Sequence, residues 1–333
     1  MGHLTARPLS GGEPAAGRAG SAVAGRLPWV AAAAVIAAQI PYPLLPAGGT
    51  GRACLTAAQI LAFFTASVAH AALRRGWAFT AGYLALSLGV GFTVELVGLR
   101  TGWPFGHYAY THRLGPEAGG APLLIPLGWS MMSYPALLSG RYIAAQARAA
   151  RDARRPGPPG AGQAGADQSP AGSAAARRQS AASPLTALAG GAVLAGWDLF
   201  LDPRMASEGF WVWHDGARHG GGWLSLGWLT GARLNGIPLT NTVGWLVVGT
   251  ILVALLDRLP NPTRPHPARP GGRAVLPGWP ADDAMPLLLL CWTYGSWVLA
   301  CLVFFGQPVV ALAGGLGMAL PYLLALGVRS RRR

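Results

Sequence analysis

The sequence predicts an all-α, polytopic membrane helix bundle with about eight transmembrane helices, and three observations lead there. Of the 333 residues, 52% are hydrophobic and only 11% charged, whereas a soluble domain carries about a quarter charged residues. Apolar runs of about 20 residues, the length that crosses a bilayer's hydrocarbon core, recur along the chain. The 26 basic residues are all Arg, and they fall between those runs with a strong bias to one side. Basic residues concentrate in cytoplasmic segments, so the bias predicts both termini in the cytoplasm.

Residues 1–26 are polar, rich in Gly and Ala, and carry Arg7, Arg18 and Arg26; they read as a disordered tail. With the apolar run behind them they could mimic a secretory signal. That run is long enough to span and is continued by further spans, so a retained first helix is expected. The spans are predicted near 27–46, 53–73, 77–99, 121–141, 184–202, 238–256, 284–306 and 308–328. Residues 27–147 thus hold helices one to four and residues 184–328 helices five to eight. Alternating the spans puts 20 Arg on the cytoplasmic side and six (Arg52, Arg100, Arg113, Arg204, Arg218, Arg233) outside. Residues 148–183 are low-complexity, with Pro, Gly and Ala in excess and too little apolar surface to offset ordering entropy. They read as a disordered cytoplasmic linker, and 329–333 as a basic tail.

The net charge of +14 belongs to segments flanking apolar spans, where anionic lipid is the partner; no nucleic acid is expected. Cys54, Cys291 and Cys301 lie in apolar runs without a C-x-x-C pair, so packing is their expected role.

The outer loops differ from the cytoplasmic ones. They are aromatic, rich in Gly and Pro, and contain Trp103, Trp211, Trp213, Trp223, Trp228 and Trp245. Aromatic anchors at a membrane boundary account for any one of these. Three acids lie in or at the edge of predicted spans: Glu95, Asp198 and Asp202. A carboxylate in hydrocarbon is costly and usually faces a partner or a cavity. Arg100 is close enough in sequence to pair with Glu95. Asp198 and Asp202, at i and i+4, share one helix face. Because Pro203 follows it, Asp202 could simply cap a short helix beginning "PRMASE". Asp198 has no such explanation. His107, His112, His214 and His219 fit no metal-binding spacing, and no metal or other cofactor is expected.

Four stretches together, "VELVGLRTGWPFGHYAYTHRLG" (94–115), "PLLIPLGWSMMSYPAL" (122–137), "GWDLFLDPRM" (196–205) and "GIPLTNTVGW" (236–245), resemble the membrane carotenoid-biosynthesis family of bisanhydrobacterioruberin hydratase and γ-carotene 1′,2′-hydratases. The resemblance implies water addition across the terminal C1,C2 double bond of an acyclic or monocyclic carotenoid, giving a tertiary alcohol. It also implies a lipid-soluble substrate, no cofactor, and a cell-membrane location beside other enzymes of the same pathway. Such hydration needs a proton on the CH carbon, a tertiary cation beside it, and one water. A carboxyl in an apolar setting beside a second carboxylate favours the protonated form needed for the first step. Asp198 is the expected general acid, with Glu95 or Asp202 orienting water. Trp197 and Tyr108 could steady the cation, and Trp103, Trp211, Trp213, Asn241 and Trp245 complete the expected substrate-binding set.

Three rivals remain at this level. D-x-x-x-D can hold Mg²⁺ against a diphosphate in prenyl transfer. A carotene cyclase also starts by protonating an end group but keeps water from the cation. A non-enzymatic carrier could use buried acids for coupling or packing.

Overall fold

The computed structural model describes residues 15–153, 183–214, 233–260 and 279–330. Among these are eight α-helices: α1 (Ala15–Gln39), α2 (Thr50–Arg75), α3 (Trp77–Thr101), α4 (Leu124–Asp152), α5 (Pro184–Ser207), α6 (Leu239–Asp257), α7 (Ala284–Val303) and α8 (Pro308–Ser330). Three two-stranded antiparallel ribbons lie between them: β1 (Tyr108–Tyr110) with β4 (Trp211–Trp213), β2 (Glu117–Ala118) with β3 (Ala121–Pro122), and β5 (Arg233–Leu234) with β6 (Ile237–Pro238). Seven of the helical segments are long and apolar enough to cross a membrane. The protein is a multi-pass membrane helix bundle.

The eighth helix, α4, is exceptional for a physical reason. Its sequence "WSMMSYPALLSG" is too polar to pass as a span, yet nearly all of that stretch is buried. It is encased by α2, α3, α5 and α6, so neighbours rather than lipid satisfy its polar groups. Pro135 inside it has no N–H to offer Met131. Ser67 of α2 donates to that Met131 carbonyl instead, at 2.9 Å, the kind of repair that lets proline persist in membrane helices.

Helix edges follow local chemistry. Glycine in left-handed backbone ends α3: Gly102 has φ +71° and donates to Gly98 O at 2.8 Å, a glycine C-cap. Helix α1 begins at Ala15, well before the predicted edge at 27. Helix α4 runs to Asp152, so residues 148–152 of the expected linker are helical; most of the rest lies outside the described residues. Helix α8 extends to Ser330, into the expected basic tail. Cys301 is buried as a packing residue would be, whereas Cys54 and Cys291 face outward, on the surfaces that hydrocarbon would cover.

Helix α5 is the spine. It packs against α4, α6 and α8 and buries a larger share of itself than any other candidate span. Small residues permit this: a Cβ on Gly317 of α8 would sit 2.9 Å from Gly196 Cα, and one on Gly196 would strike the Gly317–Met318 backbone. Close backbone approach at small residues is how helices pack where lipid competes for apolar contact. Opposite ends of the bundle are pinned by charge. At one end Arg75 pairs with Asp283 (2.6 Å) and Arg141 with Asp257 (2.7 Å). At the other, Glu208 accepts from Arg52 and the Gly48 N–H and forms an ion pair with Arg204.

Candidate active site

At the Glu208 end the helices enclose a cavity of about 430 Å³ with mostly apolar walls. Five of its polar groups converge from four elements. Glu95 comes from α3, Tyr108 and Tyr110 from β1, Asp202 from α5, and Asn241 from the first turn of α6. The β1–β4 ribbon covers this end. Its register pairs Tyr108 with Trp213 and Tyr110 with Trp211. Alternation along a strand puts those four aromatics on one face, and all four line the cavity.

Glu95 is 4% exposed and is met only by donors. Its Oε2 accepts from Tyr108 OH (2.6 Å) and Tyr110 OH (2.7 Å), and its Oε1 from Trp129 Nε1 (3.1 Å). Burial first, and the Glu95 charge second, hold both tyrosine hydroxyls well above the ordinary tyrosine range, so they remain donors. Arg100, the partner suggested by sequence spacing, is exposed and makes no ion pair with Glu95.

Asp198 and Asp202 form the second polar group. Helix α5 continues through Pro203 to Ser207, so Asp202 does not cap a new helix. Both acids are buried, and both accept from one amide: Asn241 Nδ2 donates to Asp198 Oδ2 at 2.8 Å and also to Asp202 Oδ2. Asp202 forms part of the cavity wall, whereas Asp198 stands one turn behind it. Asp198 Oδ1 is buried with no hydrogen-bond partner among the described residues.

Aromatic faces complete the chamber. Trp129 and Trp245 stack at 3.9 Å between centroids with 5° between planes, and Trp197 meets Trp245 edge-on at 5.9 Å. Space for them comes from residues without side chains. A Cβ on Gly91 would lie 2.8 Å from Trp129, and one on Gly98 would lie 2.8 Å from Tyr108 OH.

Of the residues singled out from sequence, the cavity gathers Glu95, Asp202, Trp197, Tyr108, Trp211, Trp213, Asn241 and Trp245. Trp103 is not among them; it is 56% exposed beside the turn at Pro104. Trp223, Trp228 and His219 lie outside the described residues. His112 pairs with Glu117 at the surface, at 3.2 Å, and among the described residues no cluster of His, Cys, Asp or Glu is arranged to hold a metal. Sequence reasoning missed Trp129, Tyr110 and Phe105. The polar run around Trp129 in an otherwise apolar helix was the available signal.

The family model described as "Carotenoid biosynthesis protein" matches residues 56–321. Bisanhydrobacterioruberin hydratase of Haloarcula japonica is 26% identical over 166 residues, covering 50% of this chain and 41% of that relative. The chain therefore matches well under half of the relative's length. No solved structure matches the chain.

Proposed function

Because the chain belongs to the carotenoid biosynthesis protein family, we propose that it is a carotenoid-modifying enzyme that adds water across the terminal double bond of an acyclic carotenoid end. The observation that carries the reading is one cavity holding a paired carboxyl group, a separate carboxyl group and stacked indole faces. Those are the parts an acid-catalysed hydration needs.

Asp202, on the cavity wall, is the proposed general acid. Two carboxyls held on one amide repel when both are ionised, so one proton shared by the pair is the low-energy state. Asp202 gives that proton to the CH carbon of the isopropylidene end. The π electrons form the new C–H bond and leave a tertiary cation on the neighbouring carbon. The faces of Trp197, Trp129 and Trp245 and the Glu95 carboxylate stabilise that charge. A water attacks the cation, and its lost proton passes to a carboxylate of the site, which restores the starting charge. Tyr108, Tyr110 and Trp129 are positioning residues, since they fix the orientation of Glu95.

A host accumulating lycopene supplies the test. Producing this chain there should give pigment heavier by one water, and Asp202→Asn should abolish that product. An isomer of unchanged mass would mean cyclisation instead. A five-carbon gain dependent on Mg²⁺ would mean prenyl transfer, and unchanged pigment would support the carrier.

A further inference from the structure

Helix α1 stops at Gln39 and is followed by Ile40-Pro41-Tyr42-Pro43-Leu44-Leu45-Pro46. Only a single helical turn, Tyr42–Leu44, interrupts this irregular stretch. Irregular backbone at membrane depth is tolerated where it is buried in protein or lines a cavity. The three prolines bring no N–H groups that would need partners. Arg52 of α2 donates to the Pro43 carbonyl at 3.1 Å and to the Leu45 carbonyl at 2.8 Å. The connection from α1 to α2 is therefore built and supported.

It also opens the cavity sideways. Ile40 and Leu44 line the cavity, yet each is more than half exposed on the outer surface. Across from them Leu299 and Phe304, near the end of α7, also line the cavity and are exposed, at 56% and 49%. Elsewhere along this seam the helices are joined by Trp292 Nε1, which donates to Gln39 Oε1 at 2.7 Å. The enclosed volume suits a ligand of ordinary small-molecule size. A linear forty-carbon polyene is about as long as the hydrocarbon core is thick, about 30 Å, so a cavity of about 430 Å³ does not take in all of it.

We propose that the gap between the Pro-rich break after α1 and the end of α7 is a lateral doorway that binds a linear polyisoprenoid chain, with its reacting end inside and its body in the bilayer. The nature of that end rests on the hydratase reading; the doorway itself does not. Only one end of the chain is admitted at a time.

The test is thiol labelling in membranes, in a chain carrying Cys54→Ala, Cys291→Ala and Cys301→Ala. Ala300→Cys, on the cavity side of α7, is reacted with a lipid-soluble maleimide with and without lycopene. A ligand at about ten times its Kd leaves roughly a tenth of the sites open, so labelling should slow about tenfold. Leu312→Cys, on the outer surface of α8, should label at the same rate in both conditions. Equal labelling of Ala300→Cys with and without lycopene overturns the doorway, whatever the hydration assay shows. Protection in a protein that adds no water keeps the doorway and removes the hydratase reading. As a second arm, Ala300→Trp should fill the opening and sharply lower polyene conversion while thermal unfolding stays unchanged. Wild-type conversion by that stable variant would also overturn the proposal.

Discussion

Asp202 and Asp198 show how one turn of helix separates two chemically identical residues. Asp202 meets the cavity and Asp198 backs it, so their amide variants should differ. Asp202→Asn is expected to lower kcat by about 10²–10⁴-fold, the range for loss of a general acid. Asp198→Asn should lower it less, with KM unchanged, because it acts through its neighbour. Asn241→Leu removes the one donor that both acids share and should cost about 1–3 kcal/mol of stability for each stranded acceptor, read as a fall in unfolding midpoint. The tyrosines give a pH signature. Burial and Glu95 raise both hydroxyls, so the folded state resists an ionisation that the unfolded chain undergoes near pH 10. Stability from this source is complete below about pH 10 and is lost as pH rises beyond it; thermal melts across that range should show the decline. The acids were legible in the sequence because charge in an apolar run is conspicuous. Which of the two acids meets the cavity was not, because a proline such as Pro203 often marks a helix boundary, and only the packed helix shows that it does not do so here.

Among the elements, the spans were legible because hydrocarbon thickness imposes a length on them. Helix α4 shows the limit of that signal. Its inner half carries Ser, Tyr and Met where lipid-facing helices carry Leu and Val, because it faces protein on every side. The β1–β4 ribbon was illegible for another reason: two three-residue strands a hundred residues apart leave no periodic trace. Helix α5 offers an element-scale prediction. Gly196→Ala, whose Cβ would strike the α8 backbone, should destabilise by about 1–3 kcal/mol, as overpacking does. Gly89→Ala, with open space around its Cβ, should be neutral or stabilising by up to about 1 kcal/mol, the helix-propensity gain. Equal effects from the two would show that α5 is not tightly seated.

At the scale of the whole molecule, the charge asymmetry predicts an orientation for the bundle. Impermeant thiol reagent added to intact cells should reach His112→Cys, at the cavity end, and spare Arg258→Cys, at the other; the reverse pattern would invert the topology. Positive charge can be counted in a sequence, so this expectation was available from the start. The cavity was not, since it is formed by residues from seven helices and one ribbon that meet only after folding. The glycine contact between α5 and α8 has a further consequence for how the protein could change over time. With the spine seated backbone to backbone, α5 cannot slide along α8 without breaking that contact, so the wall that α5 lends to the chamber is held in place. A shift in substrate range would have to come from exchanging the aromatic side chains of the wall, one residue at a time, with the acids left where they are.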